Sequence, residues 1–255
     1  MTTTMTAPVT TVPVRPTARR TGPSFPALSV LEMRKSLTTR SGKALAAAAV
    51  LLAPAATTVA VAASGEQLDS PVGPLAVMGM LTAFVVMAIG VLSTAGEWAH
   101  KSVQTTYLLV PHRGRVLAAK AVAVALLGAA FTAVAVSMSA AVLAVSYSDM
   151  AWDGALPAVI AVIGAGAAFA VTGAGVGAAL ANSPASLTGL YLVILGAIPV
   201  LNQFKPEIGM KIDPSNAVIN LAQGTQTTQS IAILAGWAVV SLTAGAILTS
   251  RRAVQ

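Results

Sequence analysis

A chain of 255 residues has room for one or two domains, and its composition decides which kind. Only 9% of the residues are charged and 56% belong to the A, V, I, L, M, F, W, Y and C set, against about a quarter charged in soluble domains; a soluble globular fold is excluded. The absence of cysteine excludes disulfides, thiol chemistry and Cys-based metal sites, while the net charge of +7 suggests nucleic-acid binding only until it is mapped along the chain.

Residues 1–26 are rich in Thr and Pro and carry Arg15, Arg19 and Arg20 but no acid. Pro8, Pro13, Pro16, Pro23 and Pro26 forbid a continuous helix, which predicts a disordered tail. A cleaved targeting peptide, also basic and acid-poor, is the alternative. Residues 27–255 read as one membrane domain. It opens with 27–43, where Leu28, Leu31 and, less regularly, Val30 and Leu37 share a face opposite Arg34, Lys35 and Arg40. This reads as a short helix lying on the membrane surface, or as a basic flank that orients the first crossing.

Apolar runs then predict six membrane-spanning helices at about 44–63, 72–96, 118–146, 157–181, 186–202 and 230–250. Pro54 sits in the middle of the first and is expected to kink it. In the fourth, Gly166, Ala170, Ala174 and Ala178 recur at every fourth place beside Gly173 and Gly177. Such a stripe lets helices approach closely. A dinucleotide loop is rejected, since no strand precedes these glycines. The segment 181–186 is a tight hairpin, and the fifth span is expected to end near Pro199. Asp213 followed by Pro214 is a helix start, predicting a short re-entrant helix before span six with Ala217, Val218, Leu221 and Ala222 on its apolar side.

An even number of spans puts both termini on one side. Thirteen of the 15 basic residues fall there, leaving only Lys205 and Lys211 opposite; Glu32 and Glu97 are the only acids on the basic side. The Lys/Arg bias marks that side as cytoplasmic. The expected protein is an all-α, six-span protein of the plasma (inner) membrane with both termini inside, embedded in the lipid bilayer and without a nucleic-acid partner.

Between the second and third spans lies a polar island, Glu97 to Lys120. Ala99, Val103, Tyr107 and Val110 share a helical face, with Lys101, Gln104, Thr105 and Leu108 on another. Glu97 is read as opening this helix, and Pro111 and Gly114 as stopping it. The segment is either a helix held to the inner surface and offered to a cytoplasmic protein, or a solvated loop that sets topology.

Much chemistry is missing. No Asp, Glu, Lys, Arg or His lies within a span core, which disfavours proton-coupled carriers, although sodium coupling through carbonyls stays open. An intramembrane serine protease needs a base beside its nucleophile, and the two histidines, His100 and His112, both lie in the island. With one nearby acid they make a poor metal site. No phosphate-binding loop of the G-x-x-x-x-G-K-[ST] type occurs, so energy for uphill transport must come from a partner.

Over about residues 27–252 the order of elements, with Glu97, Lys101-Ser102, Leu108-Leu109, Pro111, Arg113 and Ala118-Ala119-Lys120, resembles the permease subunit of type-2 ABC exporters. Lys101-Ser102-Val103 departs from the Gly-Thr-apolar pattern of many relatives. The resemblance implies a transport subunit that is not itself an enzyme and holds no cofactor. A second permease chain, identical or a sister, would complete the pathway, with the second and fifth spans lining the route. A separate cytoplasmic ATPase would bind ATP and Mg. The island would be the coupling helix, with Glu97, Lys101, Pro111 and Arg113 as ATPase-coupling residues. The rivals are a membrane anchor for a signalling or immunity ATPase, and an ion-coupled secondary transporter.

Overall fold

The computed structural model describes residues 23–65, 67–99, 102, 106, 110 and 112–252. Every regular element among them is helical, and six helices are long and apolar enough to cross a membrane. The chain is a multi-pass membrane protein.

The lead-in helix α1 (Phe25–Thr38) starts two residues earlier than the sequence suggested. Ser24 accepts the Ala27 N–H, and Pro26 falls in the first turn, where its missing N–H costs nothing. It also ends sooner. Thr39 is extended, and its hydroxyl accepts the Gly42 N–H at 3.0 Å, so the basic residues from Arg40 open α2 (Arg40–Ser64) instead of closing α1. Helix α2 stays continuous through Pro54, with the Thr57 and Thr58 hydroxyls donating to the Ala53 and Pro54 carbonyls at 2.9 Å.

Next come α3 (Val72–Ala99), α4 (Arg113–Ser146) and α5 (Ala155–Leu180). Glu97 does not open a new helix: it lies in the final turn of α3. Gly114 does not stop one either, being the second residue of α4. In a first turn no N–H has an intrahelical partner, so a weak helix former sits there at little cost. The turn from α5 into α6 is as tight as expected. Ala181 takes the left-handed conformation (φ 52°) and the Asn182 side chain caps α6 by accepting the Ala185 N–H at 2.9 Å.

Helix α6 (Ser183–Phe204) runs past Pro199, beyond its expected end. Its middle, Leu192–Ala197, is π-helical, and Ile198 N–H bonds to the Val193 carbonyl. The widened turns lie directly before Pro199, which has no N–H for an ordinary helical bond. A single turn, α7 (Pro206–Gly209), precedes α8 (Pro214–Ala222), and α9 (Thr227–Arg251) completes the chain. The Asp213 carboxylate caps α8 as its position predicted, accepting from Ser215 N at 2.8 Å, Asn216 N at 3.2 Å and the Asn202 amide at 2.8 Å. Ala217, Val218 and Ala222 are buried, and Leu221 packs beside them.

Helix α5 is the hub, flanked by α3, α4 and α9. A β-carbon on Gly173 would meet the Met87 backbone within 3.0 Å, one on Gly90 the Ala170 backbone, and one on Gly175 the backbone at Ser241. Gly166 likewise closes on Thr132, and Gly128 on Gly166. The small-residue stripe therefore packs against three helices at once. Within lipid, backbone-to-backbone approach of this kind replaces the hydrophobic drive that operates in water.

Candidate functional site

The basic end of the bundle holds a cluster of four charges from three helices. Glu32 and Lys35 come from α1, Glu97 from the last turn of α3 and Lys120 from the third turn of α4. Lys120 Nζ pairs with Glu97 Oε1 at 2.9 Å and with Glu32 Oε2, and also donates to the Ser93 carbonyl at 3.1 Å. Lys35 Nζ pairs with Glu97 and lies 3.4 Å from Glu32 Oε1. The signs alternate around the ring, and the four charges cancel. Glu32, Glu97 and Lys120 are at most 8% exposed, whereas the Lys35 side chain is 42% exposed. Burial opposes charge on Lys35, but the carboxylates of Glu97 and Glu32 beside it hold its pKa above the usual lysine value.

Apolar contacts reinforce the ring. Leu28 of α1, Val110, and Val116 and Ala119 of α4 form a small buried cluster. Lys35 Nζ also reaches the Thr106 hydroxyl at 3.3 Å, and Arg115 donates to the Pro23 carbonyl at 2.8 Å. Helix α1 is thus turned with Leu28, Ser29 and Glu32 towards the bundle while Val30, Leu31 and Arg34 face outward. This departs from the shared face expected for Leu28, Val30 and Leu31. Two carboxylate contacts with Lys120 and Lys35 outweigh the outward placement of two apolar side chains, which a membrane surface tolerates.

A second network lies beside the ring. Arg113 donates from Nη1 to the Thr249 and Arg252 carbonyls at 2.8 and 2.7 Å, at the C-terminal end of α9. Arg252 in turn reaches the Ala178 and Ala179 carbonyls at the end of α5, at 3.2 and 2.6 Å, and stands 5.6 Å from the Trp98 ring. Helix ends leave carbonyls unpaired and carry partial negative charge; guanidinium groups answer both needs. A cleft of about 370 Å³ opens next to the ring between α1, α2 and α3; Lys35, Glu97 and Ser102 lie at its polar part and Leu45, Ile89 and Leu92 line its larger apolar part.

Of the proposed coupling residues, Glu97 belongs to the ring and Arg113 to the helix-end network. Lys101 and Pro111 lie outside the described residues, as does most of the island from 100 to 111. Of the described residues in it, Thr106 N–H bonds to Ser102 O and Val110 N–H to Thr106 O. Glu32, Lys35 and Lys120 were not singled out as partners of Glu97. One signal pointed to them: Glu32 and Glu97 are the only acids at an otherwise cationic end, and buried acids need cations. Among the described residues no group of His, Cys, Asp and Glu could hold a metal. The ring ties α1, α3 and α4 to one another through buried ion pairs. No protein-family model matches the chain, and no curated protein matches it significantly.

Proposed function

We propose that this chain is the membrane permease subunit of an ATP-driven type-2 ABC exporter, forming half of the transport pathway with a second permease chain and driven by a separate cytoplasmic ATPase that binds ATP and Mg. The observation that carries this reading is the neutral ring of Glu32, Lys35, Glu97 and Lys120. It joins the lead-in helix to both ends of the segment between α3 and α4. A force applied to that segment by a partner is thereby delivered to α1, α3 and α4 together, because buried charge-assisted contacts resist separation.

In this reading the basic end, with its Lys/Arg excess, is the cytoplasmic end, both termini lie inside, and the island is the coupling helix. The fifth span offers the second permease chain an apolar surface: Leu192, Val193, Leu195, Val200 and Phe204 are exposed on α6, against Val77 alone among the large apolar residues of α3. Span two then acts mainly as the packed neighbour of α5. Walls of Ala, Val and Leu favour apolar or amphipathic cargo.

The test is reconstitution with a phosphate-loop ATPase encoded beside this chain. ATP turnover should rise when the permease is present. Lys101→Glu should release the ATPase while the permease remains folded in the membrane, whereas Glu97→Gln, acting through the ring, should lower thermal stability and coupling together. Transport in the absence of any ATPase, or Trp98 or His112 labelled from outside the cell, would overturn the proposal.

A further inference from the structure

At the end remote from the charge ring, an open groove of about 670 Å³ runs along the outer side of α9, lined by Gln229, Ile233, Gly236, Trp237 and Val240 and by Lys211 and Ile212 of the preceding segment. That segment is tied down, since the Trp237 indole N–H donates to the Ile212 carbonyl at 2.8 Å. The one polar group of the Trp237 side chain is thereby satisfied, and the helix side of the groove below Gln229 presents only apolar surface.

From Gln229 to Val240 the helix rises about 16 Å at about 1.5 Å per residue. Half of a hydrocarbon core of about 30 Å is about 15 Å, so the track is about as long as one leaflet is thick. Lys211 is exposed beside it, and among the described residues its ammonium has neither an ion pair nor a side-chain hydrogen bond. The nearby Asp213 is buried and already engaged by Asn202 and the start of α8. An exposed ammonium beside an apolar track is the charge pattern that an anionic amphiphile complements. The groove thus offers a cation at one part of its wall and an acyl-length apolar track along the rest.

We propose that this groove is a binding site for an anionic phospholipid of the surrounding leaflet, with the phosphate held by Lys211 and Gln229 and one acyl chain lying against Ile233, Gly236, Trp237 and Val240. The site depends only on the chain residing in a bilayer, so it stands or falls separately from the ATPase reading.

The experiment uses the full chain in nanodiscs of equal parts phosphatidylglycerol and phosphatidylcholine, with retained lipid counted by native mass spectrometry. The wild type should retain phosphatidylglycerol over phosphatidylcholine several-fold. Lys211→Gln should bring that ratio close to one. Gly236→Leu should lose the retained lipid altogether; a β-carbon there meets nothing within 4 Å, so the larger side chain fills the groove without disturbing the interior. Unchanged thermal midpoints for both variants establish that they fold. Equal retention of the two lipids by the wild type would overturn the proposal. So would undiminished phosphatidylglycerol in both variants, or a change of oligomeric state in Gly236→Leu with lipid unaltered, which would assign the groove to a second copy of the chain.

Discussion

The middle of the bundle and its basic end are held together by opposite means. In the middle, α5 approaches α3, α4 and α9 so closely that glycine is the only residue that fits at several crossings, and no charge takes part. At the basic end four charged side chains converge from α1, α3 and α4, with Glu32, Glu97 and Lys120 buried and Lys35 partly exposed. The first arrangement is stiff, because packed backbones have one arrangement and no slack. The second is a connection whose strength depends on every member being present, since removing one leaves its partners charged, buried and uncompensated. A protein that must move at one end and keep its shape within the membrane can use both.

That contrast can be broken most sharply at Lys120. Lys120→Met leaves Glu32 and Glu97 sharing Lys35 alone and should cost about 3–5 kcal/mol, read as a lowered thermal midpoint in detergent. Replacing both Glu32 and Lys120 by Met leaves the Lys35–Glu97 pair neutral and should recover most of that loss. Equal losses in the single and double variants would mean that packing, not charge, holds this end.

A smaller effect is expected in the middle. Gly173→Ala forces a methyl against the Met87 carbonyl and should cost about 1–3 kcal/mol, while Gly164→Ala, where a β-carbon meets open space, should be neutral or mildly stabilising. Like thermal midpoints for the two would remove close approach as the basis of the α3–α5 contact.

The smallest effect sharpens the account of the ring by pH. The pKa of Lys35 is raised above its usual 10.5 when folded. Its pairing therefore contributes fully below that value and is lost only as the pH climbs through the folded pKa. The docking of α1 should stay constant from neutral pH to about pH 10 and loosen beyond it, and Lys35→Met should flatten that alkaline loss. A fall in the docking of α1 between pH 7 and 9, followed by hydrogen exchange, would contradict it.

The six spans were legible because each is written in a contiguous apolar run, and their boundaries depart from the expected ones by a few residues. The cap at Asp213 and the small-residue stripe of α5 were equally local, resting on neighbours one to four places apart. The rotation of α1 was not legible, because which face turns inward depends on Lys120, some 90 positions away. The run of α6 past Pro199 was missed for a related reason: a π-helical segment can absorb a proline, and periodicity gives no warning of it. Glu97 was chosen for its position at the start of the island, yet in the structure it is an inward-facing partner of two lysines.

By itself the sequence determined that this protein is helical and that six of its helices are long and apolar enough to cross a membrane. Hydropathy and helix length are properties of adjacent residues, and the bilayer reads them directly. Which glycines meet which backbones, and that four charges from α1, α3 and α4 form one neutral ring, was decided only when the helices packed. Those contacts join residues up to about 90 places apart, and no local pattern encodes the partner at such a distance.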